Sequence, residues 1–180
     1  MAEYKFFTSG CEVVGESILS LVNSIATGKD TRLQILKKHG IVPEPGKWYP
    51  QQPFLNAFKE IATSIGSHTI FMIGKAIPEK VQFPPIDSLK KALQVIDQAY
   101  KMNQRGGDSG EYKLSEFDEK NKTAVMVCRN PYPSEFDRGI ITAIVRKFKP
   151  AGSFKSDVIL DTTKETRSKG AESCTFKIFW

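Results

Sequence analysis

Residues 122–148 read KTAVMVCRNPYPSEFDRGIITAIVRKF, and this stretch decides the fold. Its first part, KTAVMVC, has the β-branched, apolar character of a strand. The prolines Pro131 and Pro133 fix φ and end that strand. Ser134 followed three residues later by Asp137 has the spacing of a capping box, which would satisfy free amides at the start of a helix. Phe136, Ile140, Ile141, Ile144, Val145 and Phe148 then recur at helical spacing. The prolines and capping residues are explained by a strand-to-helix joint. Tyr132, Glu135 and Arg138 are left over in its corner.

Working outward, GEYKLSEF precedes KTAVMVC across DEKN, and the two read as a hairpin. Two further strands, DVILDTT and CTFKIFW, follow the helix and are joined through ETRSKGAES. The second part therefore has the order β-β-α-β-β. The first hundred residues read mostly as helices. Ile18, Leu19, Leu21, Val22 and Ile25 share one face between Gly15 and Ala26. Asp30 is placed to cap a second helix that stops at Gly40. The four-proline segment 41–53 reads as a loop. Phe54, Leu55, Phe58, Ile61, Ala62 and Ile65 form a third helix, which Gly66 interrupts and Ser67 recaps before Ile70, Phe71 and Ile73. After Phe83-Pro84-Pro85, Asp87 is placed to cap a long helix carrying Leu89, Ala92, Leu93, Ile96 and Tyr100. The expected class is α+β, one domain over 1–180, with N-terminal helices packed on a four-stranded antiparallel sheet.

The composition, 40% hydrophobic and 26% charged over 180 residues, is that of a globular chain. No apolar run approaches the roughly 20 residues of a membrane span, and MAEYKFFTSG lacks the pattern of a secretory signal. Three widely separated cysteines, Cys11, Cys128 and Cys174, imply neither a disulfide framework nor a zinc ribbon. A cytoplasmic protein is expected. The net charge of +6 raises the question of an anionic partner, yet the basic residues are scattered and no aromatic-interleaved basic motif occurs, which argues against nucleic acid.

Motifs that suggest chemistry fare poorly. Gly107-Asp108-Ser109-Gly110 echoes a serine-protease nucleophile, but it has no base at a recognisable position, and the only histidines are His39 and His68. The glycine-rich run from Arg105 follows a helix and precedes a strand, the reverse of a phosphate loop, and Gly106 reads as a helix C-cap. His68, the one histidine on a mainly apolar helix, reads as half-buried and bonded to a backbone carbonyl. Cys128 and Cys174 read as two buried small hydrophobes and are the only metal candidates, without the four ligands of a structural site. The aromatics say more. Trp48, Tyr49, Phe54, Phe58, Phe71, Tyr100 and Tyr132 are many for internal packing, and with Met72 and Met102 they would line an apolar pocket.

AYKMNQRGGDSGEY, MVCRNPYPSEFDRGI and RSKGAESCTFKIFW together resemble the 4-vinyl reductase domain. That group shares a ligand-binding superfamily with haem-nitric-oxide-binding sensors and Golgi transport-particle subunits. The resemblance covers about residues 60–180. It implies helices on an antiparallel sheet, a homodimer, and a hydrophobic cavity holding a small apolar or aromatic molecule. On this basis the expected ligand contacts are Trp48, Phe71, Met72, Tyr100, Arg105, Tyr132, Phe136 and Arg138. Relatives that bind zinc carry cysteines where this chain has Ser134 and Thr166, and the haem branch uses a histidine on the long helix, whereas 87–103 has none. No cofactor is therefore expected, with both zinc and haem disfavoured. No nicotinamide or flavin fingerprint occurs, and Glu135 with Arg138 is the only acid–base pair near Tyr132, so an enzyme is not expected. The leading expectation is a sensor or carrier of an apolar ligand. The alternative is a ligand-free dimerisation module of the same fold.

Overall fold

The computed structural model describes residues 3–80 and 85–180, so Phe83 and Pro84, expected to break the chain before the long helix, lie outside it. In the second part the expected order is found. β4 (Glu111–Asp118) and β5 (Thr123–Arg129) form the hairpin, α5 (Ser134–Phe148) follows, and β6 (Asp157–Leu160) and β7 (Ser173–Phe179) complete the sheet. The strands lie in the order β4-β5-β7-β6, all antiparallel. The period of two does its work here. Ala124, Met126 and Cys128 of β5 and Cys174, Phe176 and Ile178 of β7 point into the core, while the residues between them face outward.

The helices are α1 (Gly15–Asn23), α2 (Lys29–Lys38), α3 (Gln51–Lys80), α4 (Leu89–Met102) and α5. α4 lays Leu89, Ala92, Leu93 and Ile96 on the sheet. α5 is buried on two sides: Ile141, Ile144 and Val145 meet the sheet, whereas Phe136 packs with α1 and α3 in a second core. This two-sided burial explains the unbroken run Gly-Ile-Ile-Thr-Ala-Ile-Val from 139, and each large side chain so buried stabilises the fold by roughly 1.5–3 kcal/mol. Tyr100 and Ile140 border both cores.

Several sequence expectations need correction. A second sheet, β2-β1-β3, forms from β1 (Glu12–Val14), β2 (Trp48–Pro50) and β3 (Gln104–Arg105). β2 and the start of α3 therefore lie within the segment read as a loop. Pro50 closes the strand, and Pro53 sits in the first turn of α3, where an amide has no helical partner to lose. α2 begins one residue before Asp30, with Gly28 at its cap, and α4 is capped by Ser88, whose side chain accepts from the Lys91 amide, in place of Asp87. Gly106 follows β3 instead of capping a helix. α5 has Pro133 at its cap and no side-chain cap bond, so the Ser134–Asp137 box does not form. The carboxylate of Glu3 takes that place, accepting from the Ser134 amide at 3.3 Å.

α3 is kinked at Gly66 (φ 77°, ψ 165°), as the interruption there implies. Beyond the kink it crosses α5 at two glycines. A Cβ on Gly74 would stand 2.1 Å from the Phe136 carbonyl oxygen, and one on Gly139 2.2 Å from that of Phe71. Neither backbone can retreat without moving a helix. Among the described residues no helix is long and apolar enough to cross a membrane.

Gly139→Ala forces this crossing apart, and overpacking of this kind costs roughly 1–3 kcal/mol or more. Urea unfolding should show a lower midpoint with an unchanged slope, and an unmoved midpoint would mean the helices do not approach this closely.

Candidate functional site

The corner that joins β5 to α5 turns its polar residues inward. Asp137 and Arg167, both wholly buried, form an ion pair through the carboxylate Oδ2 and the guanidinium Nη2. Arg167 Nη1 also donates to the Cys128 carbonyl at 2.8 Å and to Asn130 Oδ1 at 2.9 Å. Asn130 donates to both oxygens of Asp137 at 3.2 and 3.3 Å and accepts from the Tyr132 amide at 3.0 Å. Tyr112 donates its hydroxyl proton to Asp137 Oδ1 at 2.5 Å. The Asp137 carboxylate is thus held from three sides. Arg167 Nε alone has no partner among the described residues. Burial works against the arginine's charge, but the Asp137 carboxylate together with Cys174 and Cys128 outweighs it and holds the guanidinium above its ordinary pKa.

Beside this network lies a cavity of about 350 Å3, at the lower end of the range for ligand pockets. Leu21 of α1, Phe54 of α3, Ile96 of α4, and Phe136, Ile140 and Ile144 of α5 supply much of its apolar wall. Three tyrosines, Tyr100, Tyr112 and Tyr132, close one side. Their hydroxyls are engaged: Tyr100 donates to the Ser109 carbonyl at 2.5 Å, Tyr112 to Asp137, and Tyr132 accepts from Gln104 Nε2 at 3.2 Å. Burial pushes all three phenols up, Tyr132 to about 12. The rings of Tyr100 and Tyr132 meet edge-on, as do those of Tyr100 and Tyr112.

Of the eight expected contacts, Tyr100, Tyr132 and Phe136 line this cavity. The other five stand elsewhere. Trp48 stacks under Arg105 at 4.3 Å, and Arg105 pairs with Glu12 across β1 and β3. Arg138 lies over Phe71 at 4.3 Å and pairs with Glu135 at 2.7 Å, so the supposed acid–base pair is an ion pair on the first turn of α5. Met72 and Met102 are exposed. His68 is exposed on α3 and tilted toward Phe71, unlike the half-buried histidine expected. Cys128 and Cys174 are direct cross-strand partners, wholly buried, with thiols pushed up by burial. Among the described residues no three metal-ligating side chains converge.

Sequence reasoning missed Asn130, Asp137 and Arg167 as a unit. Asn130-Pro131 carries the signal of a turn and Asp137 that of a cap, while Arg167 sits in a polar loop where a solvated cation is the ordinary reading. A buried partner for that arginine has no local signal.

No family model matches this sequence, and no characterised protein matches it by sequence. Its fold is that of solved haem-nitric oxide/oxygen binding (H-NOX) domains. An H-NOX protein from S. oneidensis, in the Fe(II) ligation state, is 13% identical, with 92% of this chain and 93% of that one covered and a TM-score of 0.62. A domain described for the tuning of haem redox potential by porphyrin distortion is 14% identical over 93% and 99%, TM-score 0.62. An oxygen-binding H-NOX domain related to soluble guanylate cyclases, in its oxygen complex, is 15% identical over 92% and 93%, TM-score 0.60.

These neighbours correct the expectation of no cofactor with haem disfavoured, because the fold is one in which haem is held. The cavity lining bears on how this chain would meet such a group. Its wall is largely apolar. Protein side chains that ligate haem iron are histidine, cysteine, methionine and tyrosine, and among the described lining residues tyrosine alone is present. Glu16 is the one charged residue of the lining.

Removing one partner of the buried pair strands a charge, at roughly 3–5 kcal/mol, while replacing both by apolar groups does not. Arg167→Met and Asp137→Leu should each lower stability by that amount, and the double variant should recover most of the loss. Additive losses in a denaturation cycle would mean the two groups do not interact.

The raised phenols give a second test. Their folded pKa values lie above the unfolded value of about 10, so the unfolded chain loses these protons first as pH rises. The stability they lend is complete below pH ~10 and falls away from there through about 12, where Tyr132 ionises. Ultraviolet titration should show Tyr100, Tyr112 and Tyr132 ionising above the ordinary phenol range, Tyr132 at about 12, and ionisation at the ordinary pKa would place them in water.

Proposed function

We propose that this chain is a small-molecule sensor domain, acting by binding and not by turnover, whose ligand enters the cavity beside the Asp137–Arg167 pair. The occupant is a flat apolar molecule, and haem, named for the structural neighbours, is the first to test. One observation carries this reading. The cavity wall and the buried network share a residue, since Tyr112 lines the cavity and donates to Asp137. A ligand pressing on that ring acts on the carboxylate that ties α5 to the Arg167 loop. A two-state response needs such a differential contact.

Haem, when bound, supplies an iron that takes small gases. Tyr100 and Tyr132 are the lining phenols that would stand to ligate it, after giving up hydrogen bonds to Ser109 and Gln104. The motif resemblance to 4-vinyl reductase domains supports a cavity ligand from the sequence side. It also supports a cytoplasmic domain that pairs with a second copy, and light scattering reads the latter directly.

Ferric haem and metal-free protoporphyrin are titrated into the protein and followed by absorbance and by quenching of tryptophan fluorescence. Saturable one-to-one binding is expected. Ala99→Trp, which fills the cavity from the half-buried side of α4, should weaken it by at least about tenfold, or roughly 1.4 kcal/mol, without lowering the unfolding midpoint. Tyr100→Phe or Tyr132→Phe should change the ferric spectrum and leave protoporphyrin binding unaltered. Binding of neither probe, or binding indifferent to Ala99→Trp, overturns the reading.

A further inference from the structure

Away from the cavity, the turn between α5 and β6 presents Phe154 at 95% exposure. This turn has local order: the Ser153 amide donates to the Pro150 carbonyl at 3.1 Å, and Lys149 Nζ reaches the Phe154 carbonyl at 3.5 Å. Beside it runs an open groove of about 820 Å3, lined by Arg146, Lys149, Phe154, Lys155, Phe179 and Trp180 among others. Phe179 and, on the neighbouring strand, Ile159 are 39% and 47% exposed. Single exposed apolar residues are ordinary on a protein surface. Two of them, Phe154 and Phe179, lining one groove together with a third aromatic ring, Trp180, are less so.

The charges around the groove select its occupant. Arg146, Lys149 and Lys155 stand on its wall against one acid, Asp157, whose carboxylate is engaged by the Val158 amide at 2.8 Å. Arg146 and Lys155 have no acidic partner within 4 Å among the described residues. Two copies meeting face to face here would bring like charges together, which costs affinity. A bilayer would take up Phe154 alone, whereas Phe179 and Trp180 are far less exposed and line the hollow. We infer that the groove between the α5–β6 turn and β7 docks a segment of a partner protein bearing acidic side chains and an aromatic or aliphatic anchor. The anchor lies against Phe179 and Trp180, Phe154 covers it, and the acids meet Arg146, Lys149 and Lys155. This surface does not depend on what the cavity holds.

The probe is a fluorescein-labelled ten-residue peptide alternating glutamate with valine and phenylalanine, with its lysine counterpart as control. Anisotropy should show the acidic peptide binding and the lysine peptide failing to bind. The double variant Lys149→Glu/Lys155→Glu should weaken binding at least about tenfold, and Phe154→Ser severalfold, with the thermal midpoint kept in both. Rising salt should weaken the wild-type complex. Equal affinity of the two peptides, or binding indifferent to these variants, overturns the proposal. So does co-sedimentation with phosphatidylserine vesicles in place of peptide binding, or self-association that Phe154→Ser abolishes.

Discussion

The buried pair of Asp137 and Arg167 is the constraint around which the C-terminal half is arranged. An isolated charge cannot be taken from water at this depth without a partner and further hydrogen bonds. Asp137 comes from the first turn of α5, Arg167 from the 310 turn Arg167–Lys169 before β7, Asn130 from the end of β5 and Tyr112 from β4. Satisfying two charges therefore fixes the relative placement of three strands and a helix. Hydrophobic burial supplies most of the stabilisation and has no direction of its own. The polar network supplies direction, because displacement of any one element leaves a buried donor or acceptor unpaired.

This arrangement explains the chemistry of the corner. Asn130 before Pro131 is held extended by the proline that follows, which leaves its amide free to bridge Arg167 and Asp137. Because Asp137 is committed to the arginine, α5 lacks a cap from its own sequence, and Glu3 comes from 131 residues away to supply one. Glu3 is half-buried there, and burial pushes its carboxyl up against the opposing help of the Ser134 amide. One local rule is broken in order to satisfy a more demanding one.

What could be read from the sequence follows the same division. The hairpin, α5 and the last two strands were legible because one face of each is buried, and burial writes a period of two or of 3.6 into the residue types. The small sheet β2-β1-β3 was not, since strands of two or three residues carry too few alternations, and β2 lies inside a segment dominated by prolines. Aromatic residues were legible as a surplus but not as a place. Tyr100, Tyr132 and Phe136 share the cavity, while Trp48 and Phe71 serve as platforms for Arg105 and Arg138 on the surface. Periodicity tells which face is covered and says nothing of whether the cover is complete. The C-terminal motifs pointed to a superfamily that includes haem-nitric-oxide-binding sensors, and the solved neighbours have that fold, but neither motif nor composition spoke for haem. At 13–15% identity the fold persists as a pattern of burial, and a ligand's contacts are a handful of residues within it.

The tyrosine wall joins these strands of argument. A cavity closed by leucine or isoleucine would be as apolar, but its wall would be mute. A phenol ring gives an apolar face to the cavity and, at its far end, a hydroxyl that must find a partner when buried. Tyr112 finds Asp137, Tyr100 finds the Ser109 carbonyl in the loop before β4, and Tyr132 finds Gln104 on β3. The three rings therefore connect the cavity to the ion pair, to the start of the large sheet and to the small sheet. Displacing a ring by the thickness of a ligand either stretches one of these bonds or moves the element that holds its acceptor. In a close-packed interior the second is the cheaper response wherever the acceptor sits on a loop. Ser109 is on such a loop, and Asp137 is not. Motion started at Tyr100 would run into the turn before β4, whereas Tyr112 is anchored to a buried carboxylate that Arg167 and Asn130 also hold.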